Sequence, residues 1–450
     1  MSFFKAYDMR GTFGVDFNLD TVYRAALNLP GVTGAKRWLV GRDCRATSED
    51  VRSALVAGLN AAGAEVSDLG LCTTPMVYFF TAQDGYDGSV MVTASHNPPT
   101  DNGLKVSRKG ALPVGYKDGL DKVQELAQSS SECYSVVNAD TSVFNVVSPL
   151  ERYLEWQKRA VSPREYAKLR FAVDCSNGMA SLFAREVFPD AEILNGVMDG
   201  SFPCHSPNPL KAEAREEAAE FVREHNLDCA VIFDGDADRA MFIDESGEFV
   251  QCDMLTPILA KACGVSNGDT VIHDVRTSRG AIEAIRELGA TPLMVSVGHA
   301  FAKPIMRSSG AICGGELAGH YYFRDFACCD SGLLAATRIL SEIAKAKRRG
   351  ISFSELMRPI TSRYANSGEI NFRVDDKASA RARALAAARS HFGEPVKRIE
   401  IDGIRDEYPD GWFNIRESNT EPYLRLIAEC RTADMLGEWL YILRGAILAE

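Results

Sequence analysis

The 450-residue sequence contains neither G-x-x-x-x-G-K-[ST] nor G-x-G-x-x-G, so a nucleotide-phosphate site has no support in it. It contains no H-E-x-x-H and no C-x-x-C, which argues against a zinc protease or a cysteine-built zinc site. No apolar run reaches the roughly 18 residues a membrane span requires. The segment Met1–Tyr7 lacks a basic stretch followed by an apolar core, so no secretory leader is expected. An excess of positive charge is missing as well. Fifty Lys and Arg stand against 61 Asp and Glu, a net charge of −11. Such a chain has no basic field to release counterions from nucleic acid or to hold it on an anionic membrane. A local cationic pocket for a small anionic substrate remains compatible with that balance. The 12 cysteines are scattered, and free thiols in a reducing cytoplasm are the simplest expectation. The neighbours Cys328 and Cys329 read as packing.

What is present is alternation. Strand-like Arg37–Asp43 is followed by Thr47-Ser48-Glu49-Asp50, which fits a capping box, and then by an apolar stripe at Val51, Leu55, Leu59 and Ala62. Strand-like runs return at 171–174, 230–233, 271–274 and 293–296, each ending in polar or glycine-rich residues. Strands alternating with helices imply α/β layers, in which ligands bind beyond the carboxyl ends of the strands. The final stretch differs: a strand over 369–374, an Ala/Arg-rich helix near 378–391, a strand pair around 397–402 and 411–415, and a terminal helix. It reads as a smaller α+β domain. Boundaries near 148, 247 and 361 give four units, 1–148, 149–247, 248–360 and 361–450. No sequence repeat is evident, although three successive α/β units are compatible with one shared topology.

Four stretches carry chemistry. The run Val90–Thr93 stops at Ala94-Ser95-His96-Asn97-Pro98-Pro99, where the prolines fix φ and remove two donors. A serine there is exposed and held. Its neighbour His96 does not imply a hydrolase dyad, because adjacent side chains on an extended chain point apart, and G-x-S-x-G does not surround Ser95. In Asp234-Gly235-Asp236-Ala237-Asp238-Arg239, three carboxylates at alternate positions follow a buried strand. They are costly there unless paired or metal-bound, and oxygen ligands suit Mg²⁺ or Ca²⁺. The glycine falls where an EF-hand has none, so a Mg²⁺ site at a strand end is the better reading. Arg416-Glu417-Ser418-Asn419-Thr420-Glu421-Pro422, with Arg425, offers anion donors including bidentate arginine. Gly314-Gly315-Glu316-Leu317-Ala318-Gly319-His320 lets backbone approach a ligand, with Glu and His for sugar hydroxyls. Each of the last two alone is no stronger than an ordinary polar loop.

Together and in this order, the four stretches resemble the α-D-phosphohexomutases. Thr93-Ala94-Ser95-His96-Asn97-Pro98 is similar to that family's phosphoserine loop, 234–239 to its metal loop, 315–320 to its sugar loop and 416–422 to its phosphate loop. Phe4–Gly11, Phe202–Pro209 and Gly298-His299 match further segments, so the resemblance spans nearly the whole chain. It implies four domains around a central cleft, the first three α/β with mixed sheets and the last α+β. It implies a mutase moving phosphate between C6 and C1 of a hexose through phospho-Ser95 and a hexose 1,6-bisphosphate, which also serves as activator. By the same resemblance, Ser95, Asp234, Asp236 and Asp238 hold one Mg²⁺, and Arg10, His96, Lys105 and Arg239 stabilise charge or assist proton transfer. Tyr7, Arg276, His299, Glu316, Ala318, His320, Arg416, Ser418, Asn419, Thr420 and Arg425 are the expected substrate contacts. Relatives acting on mannose and glucose phosphates usually carry serine where this chain has Ala318, so one hydroxyl donor is missing. Mannose phosphate is the leading substrate. Glucose phosphate, dual specificity, glucosamine phosphate, a Mg²⁺-dependent phosphatase and a non-catalytic sugar-phosphate binder are the alternatives. Monomer and dimer both stay open.

Overall fold

The computed structural model describes residues 3–137, 139–418 and 423–449. The strand Arg37–Arg42 is buried from Trp38 to Gly41, and the helix Ser48–Ala61 carries the chain back to the parallel strand Glu65–Leu71. A second helix, Thr74–Gln83, returns it to Gly88–Val92, parallel to Arg37–Arg42 on the other side. The chain then folds back on itself as Asp101–Arg108, antiparallel to Gly88–Val92. The order Glu65–Leu71, Arg37–Arg42, Gly88–Val92, Asp101–Arg108 is therefore parallel, parallel, antiparallel, with Met9–Thr12 added at the outer edge.

The same order occurs twice more. It is Glu192–Leu194, Phe171–Asp174, Cys229–Phe233, Ala240–Asp244 in the second sheet. It is Thr291–Val295, Thr270–Asp274, Cys313–Gly315, Tyr321–Phe323 in the third. In all three, the motif loop is the short connection from the third strand to its antiparallel return: residues 93–100, 234–239 and 316–320. Only an antiparallel return can be this short, because a parallel neighbour needs a crossover of a dozen or more residues. One topology thus supplies three short loops, each at the carboxyl end of a buried strand.

The fourth sheet is antiparallel throughout, with the helices Lys377–Phe392 and Ala433–Leu448. The fold is the expected one, three mixed-sheet α/β units followed by an α+β unit. The strand pair expected around 397–402 and 411–415 is three strands, Lys397–Ile399, Ile404–Glu407 and Gly411–Glu417. Gly403, at φ +65°, turns the chain between the first two.

Two local expectations fail. Thr47 precedes its helix in a right-handed conformation and makes no side-chain cap. Its hydroxyl accepts from Asn102 Nδ2 at 2.9 Å, and Ser48 donates to Asp43 Oδ1 at 2.5 Å, so both hydroxyls serve the neighbouring turn. Ala62 lies beyond the helix end and is exposed, whereas Val51, Leu55 and Leu59 are buried as the stripe predicts.

Each α/β sheet has a private apolar face and one that joins a core shared by all three units. The private faces centre on Trp38, Val40 and Val90 in the first, Ala230 and Ile232 in the second, and Ile272 and Tyr322 in the third. The shared core runs from Leu39 through Phe233 to Ile360. At one of its seams Phe79 meets Tyr153 at 5.5 Å and Trp156 at 5.6 Å, and Trp156 meets Phe326 at 5.2 Å. Burying aromatic area of this size is worth about 1.5–3 kcal/mol per ring, so the three motif loops stand on one rigid base. Among the described residues no helix is long and apolar enough to cross a membrane.

Candidate active site

Ser95 is buried, in the left-handed region at φ +53°. Its amide donates to Thr93 Oγ1 at 2.8 Å and its hydroxyl to Asp234 Oδ2 at 2.9 Å. The left-handed turn overturns the reason for separating Ser95 from His96. The chain is not extended here, and Ser95 Oγ lies 3.3 Å from His96 Nδ1. A base–nucleophile pair still does not result. Arg239 Nη2 also points at Nδ1, at 2.5 Å, and burial with Arg239, Arg10 and Lys105 nearby holds the imidazole pKa well below its ordinary value. His96 is thus a neutral acceptor that anchors Arg239. Arg10, on the strand Met9–Thr12, donates to Asp8 Oδ2 at 2.6 Å and to Asn97 Oδ1 at 3.2 Å, which fixes it beside the same loop.

The carboxylates of Asp234, Asp236 and Asp238 are all fully buried, with ligand oxygens within 4.8 Å of one another. Lys105 reaches across from the first sheet to Asp236 Oδ2 at 2.7 Å and Asp238 Oδ2 at 2.6 Å. Thr74 Oγ1 adds a 2.5 Å bond to Asp236 Oδ2, and Arg239 Nε lies 3.4 Å from Asp234 Oδ2. Burial, then Asp238 and Asp236, pushes the Asp234 carboxyl well above the usual carboxylate range. Asp236 Oδ1 and Asp238 Oδ1 are buried without a hydrogen-bond partner among the described residues. Leaving anionic oxygens so is expensive, and an all-oxygen donor set of this size fits a divalent cation that prefers oxygen. Gly235 permits the close approach: a Cβ there would stand 2.5 Å from the Ser95 carbonyl.

The sugar-loop residues link this end of the site to a second one. His320 pairs as an antiparallel bridge with Arg239, and its Nδ1 lies 2.7 Å from Asp330 Oδ2 and 3.8 Å from Asp238 Oδ1. Glu316 is buried; it accepts from Tyr322 Oη at 2.5 Å and from the Gly298 amide at 3.0 Å, and burial raises its carboxyl pKa. Its Oε2 lies 3.9 Å from Arg276 Nη2. Ala318 is part-exposed between them, while Leu317 packs on Trp412 and Ile427 of the last unit. Tyr7 donates to the Val297 carbonyl at 3.2 Å, and its ring stands edge-on to His299 at 6.3 Å. His299 Nδ1 is buried with no hydrogen-bond partner among the described residues.

Arg276, Arg416 and Arg425 converge on Glu369, at 3.2, 3.1 and 3.0 Å. The two from the last sheet face each other across its central strand pair. Arg276 is fixed from behind by Asp274 at 2.7 Å. Ser418 sits at the edge of this cluster's loop, where its amide donates to the Tyr423 carbonyl at 2.9 Å. Asn419 and Thr420 lie outside the described residues.

Several residues here were not singled out from the sequence. Arg45 is the foremost. It is 2 % exposed and spends all five donors: Nε on Asp43 at 3.1 Å, Nη1 on the carbonyls of Pro98 at 2.5 Å and Asp101 at 3.0 Å, and Nη2 on those of Ser95 at 2.8 Å and Asn97 at 2.7 Å. It is the guanidinium around which the serine loop is wound. Phe202 covers it, with ring centroid 5.0 Å away. Thr74, Asp274, Asp330, Lys303 and Glu369 were also missed; Lys303 is fully buried, 2.8 Å from Asp330 Oδ1. Arg45, Asp274 and Asp330 each sit at or just past the end of a strand, the signal that could have found them.

Known proteins resemble this chain in sequence and fold over nearly its whole length. Models of phosphoglucomutase/phosphomannomutase alpha/beta/alpha domains I, II and III match residues 1–132, 151–247 and 252–364, and that of the C-terminal domain matches 369–440. A phosphomannomutase of Salmonella montevideo is 37% identical over 439 residues, 95% of this chain and 94% of that one. The crystal structure of a phosphoglucomutase/phosphomannomutase family protein from Burkholderia thailandensis superposes with a TM-score of 0.80 at 28% identity, covering 99% of this chain and 96% of that one. An Aspergillus fumigatus N-acetylphosphoglucosamine mutase, solved with GlcNAc-6P and magnesium, shares the fold with a TM-score of 0.62 at 15% identity, covering 99% and 95%. With every domain model matched in order and near-full-length identity well above 30%, the chain belongs to the phosphoglucomutase/phosphomannomutase family.

Proposed function

We propose that this phosphohexomutase interconverts mannose 6-phosphate and mannose 1-phosphate. The observation that carries the reading is the two-ended site. At one end a serine hydroxyl lies against a buried carboxylate triad, at the other three arginines gather, and the loop 316–320 touches both through His320 and Glu316. A hexose carrying phosphate at one end and a reacting hydroxyl at the other matches that layout.

Ser95 carries the phosphoryl group in the working enzyme. The hydroxyl of the bound sugar monophosphate attacks phosphorus. The bond from phosphorus to Ser95 Oγ breaks, one to the sugar oxygen forms, and the hydroxyl proton passes to a base in the cleft. The hexose 1,6-bisphosphate then turns end for end; Ser95 Oγ attacks its other phosphorus, the bond from that phosphorus to the sugar oxygen breaks, and the base returns its proton to the freed sugar oxygen. Such transfers depend on positioning and on neutralising charge at the moving group. Arg239 is aimed by His96, Arg10 is held by Asp8 and Asn97, and Lys105 sits between Asp236 and Asp238, so three cations surround the serine. Asp234, Asp236 and Asp238 would hold Mg²⁺, which when bound supplies further positive charge to the phosphoryl oxygens. Arg276, Arg416 and Arg425, with Ser418, Asn419 and Thr420, grip the distal phosphate. Tyr7, His299, Glu316 and His320 line the sugar between. Four units, 1–148, 149–247, 248–360 and 361–450, thus contribute the serine, the metal ligands, the sugar loop and the phosphate loop. The 12 free cysteines suit a cytoplasmic enzyme.

The test is a coupled assay with Mg²⁺ and catalytic hexose 1,6-bisphosphate on mannose 1-phosphate and glucose 1-phosphate. Preference for mannose is the expected result. Equal or reversed preference keeps the chemistry and moves the assignment to phosphoglucomutase or a dual enzyme, with Ala318 the first residue to change. Turnover of neither sends the assignment to glucosamine phosphate. Exhaustive chelation should remove essentially all turnover and added Mg²⁺ restore it; activity that survives chelation would exclude a metal role for the triad.

A further inference from the structure

Glu369 lies one residue beyond Gly368, at φ +64°, in the short connection between the strands Ala365–Asn366 and Ile370–Phe372, both paired to Leu424–Cys430 in the last sheet. Its Oε1 accepts from Arg276 Nη1 at 3.2 Å and Arg416 Nη2 at 3.1 Å, and its Oε2 from Arg425 Nη1 at 3.0 Å. Those arginines come from two different units, and no other carboxylate reaches all three among the described residues. They hold the Glu369 carboxyl at about 2 against the burial that opposes them, so it is an anion at any working pH. Among the described residues, the two carboxylates hydrogen-bonded to the cluster differ. Asp274 is fully buried behind Arg276, whereas the Glu369 side chain is 17% exposed, in a short turn between two edge-paired strands with a glycine beside it. Arg276 Nε and Arg416 Nε are buried with no acceptor among the described residues, donors that Glu369 leaves unused.

Resting on the mutase reading above, the geometry points to Glu369 as the internal counter-anion of the distal-phosphate site: it occupies the arginines when no phosphate is bound, yields donors to an arriving phosphate and takes them back as the phosphate leaves. A mutase that turns its bisphosphate over within one catalytic cycle has to release a phosphate as readily as it binds one. Without Glu369 the three guanidinium groups, two of them buried and Arg276 still held by Asp274, would repel one another when empty and hold a dianion too long when full. A part-exposed carboxylate in a turn beside a glycine lowers both costs. Glu369 is a positioning residue in this role, acting on the phosphate through the arginines.

The experiment measures binding of inorganic phosphate and of hexose 1,6-bisphosphate by calorimetry to the full-length Mg²⁺ enzyme, beside steady-state kinetics. Glu369→Gln keeps the shape and removes the charge. It is expected to bind phosphate about tenfold tighter, to lower KM and to lower kcat by a similar factor, so that kcat/KM changes little. Glu369→Asp keeps the charge but draws it back by one methylene, and should fall between, about two- to threefold tighter. A thermal melt confirms folding, and the Asp variant alone decides the matter if the Gln variant does not fold. Unchanged or weaker phosphate binding in the folded variants overturns the inference, because a mere strut for the arginines would loosen the site when removed. The phosphate measurement is independent of the sugar reaction. Wild-type enzyme without mutase turnover would therefore defeat the functional reading, while normal turnover with no tightening would defeat only the role of Glu369.

Discussion

Ser95→Ala is expected to lower mutase turnover by more than about a thousandfold, the scale on which removal of a covalent nucleophile acts. The variant should still fold. The lost hydroxyl donates to Asp234 Oδ2 at 2.9 Å and lies 3.3 Å from His96 Nδ1, and after its removal Arg239 remains within reach of both partners. A neutral donor removed beside a retained cation costs about 1–2 kcal/mol, a small part of a stability built on one core shared by three units. Alanine also has to adopt φ +53°, but serine already carries the same left-handed penalty. The check is the coupled assay beside a thermal melt and a phosphate-incorporation measurement. Turnover near that of the native enzyme, with the fold intact, would remove Ser95 from the mechanism.

Substitution of Arg45 should be nearly as damaging by another route. All five of its N–H groups are engaged, four of them on carbonyls of the loop from Ser95 to Asp101. Arg45→Met strands those carbonyls and leaves Asp43 buried without its cation, a loss of about 3–5 kcal/mol. Arg45→Lys is the sharper experiment. Lysine keeps the charge but has three donors on a flexible stem instead of five in a planar fork, so at least two of the five acceptors, one or more of them loop carbonyls, lose their partner. We expect that variant to fold with about 2–3 kcal/mol less stability and to lose about a hundredfold in kcat, with KM for the sugar phosphate within a few-fold of native. The split is diagnostic, because Arg45 orients the serine and does not line the sugar. A fall confined to KM, or a fully active lysine variant, would mean that the prolines alone hold the turn.

These two residues mark the division between what could be read along the chain and what could not. Ser95 was legible because its evidence is local: a β-branched strand that stops, a serine, and two prolines within five residues. The acidic triad was legible for the same reason, since three alternating carboxylates after an apolar strand have no comfortable fate in an apolar layer. The alternation of strands and helices set the α/β class, and family resemblance supplied the order of the four loops. The turn itself was misjudged, as was the Thr47 cap. In both places a single backbone conformation or a hydroxyl diverted to a distant neighbour overrode the local pattern, as Asn102 does for Thr47.

Tertiary structure decided the rest. Lys105 meets its carboxylates from 131 and 133 residues away, Arg45 reaches carbonyls 50 to 56 residues on, and Glu369 collects one arginine 93 residues before it and others 47 and 56 after. The threefold recurrence of one strand order is invisible as a repeat, because a sheet requires only that its positions be apolar and branched, a condition many different sequences meet. The sequence by itself determined which segments become strands, where they end, and which chemistry waits at each end, since periodicity and turn-forming residues act over a few positions. Which charges neutralise one another across the cleft was left to the packed fold, because an ion pair is chosen by distance in space and by the loss of water around it, and neither is written in the spacing of residues along the chain.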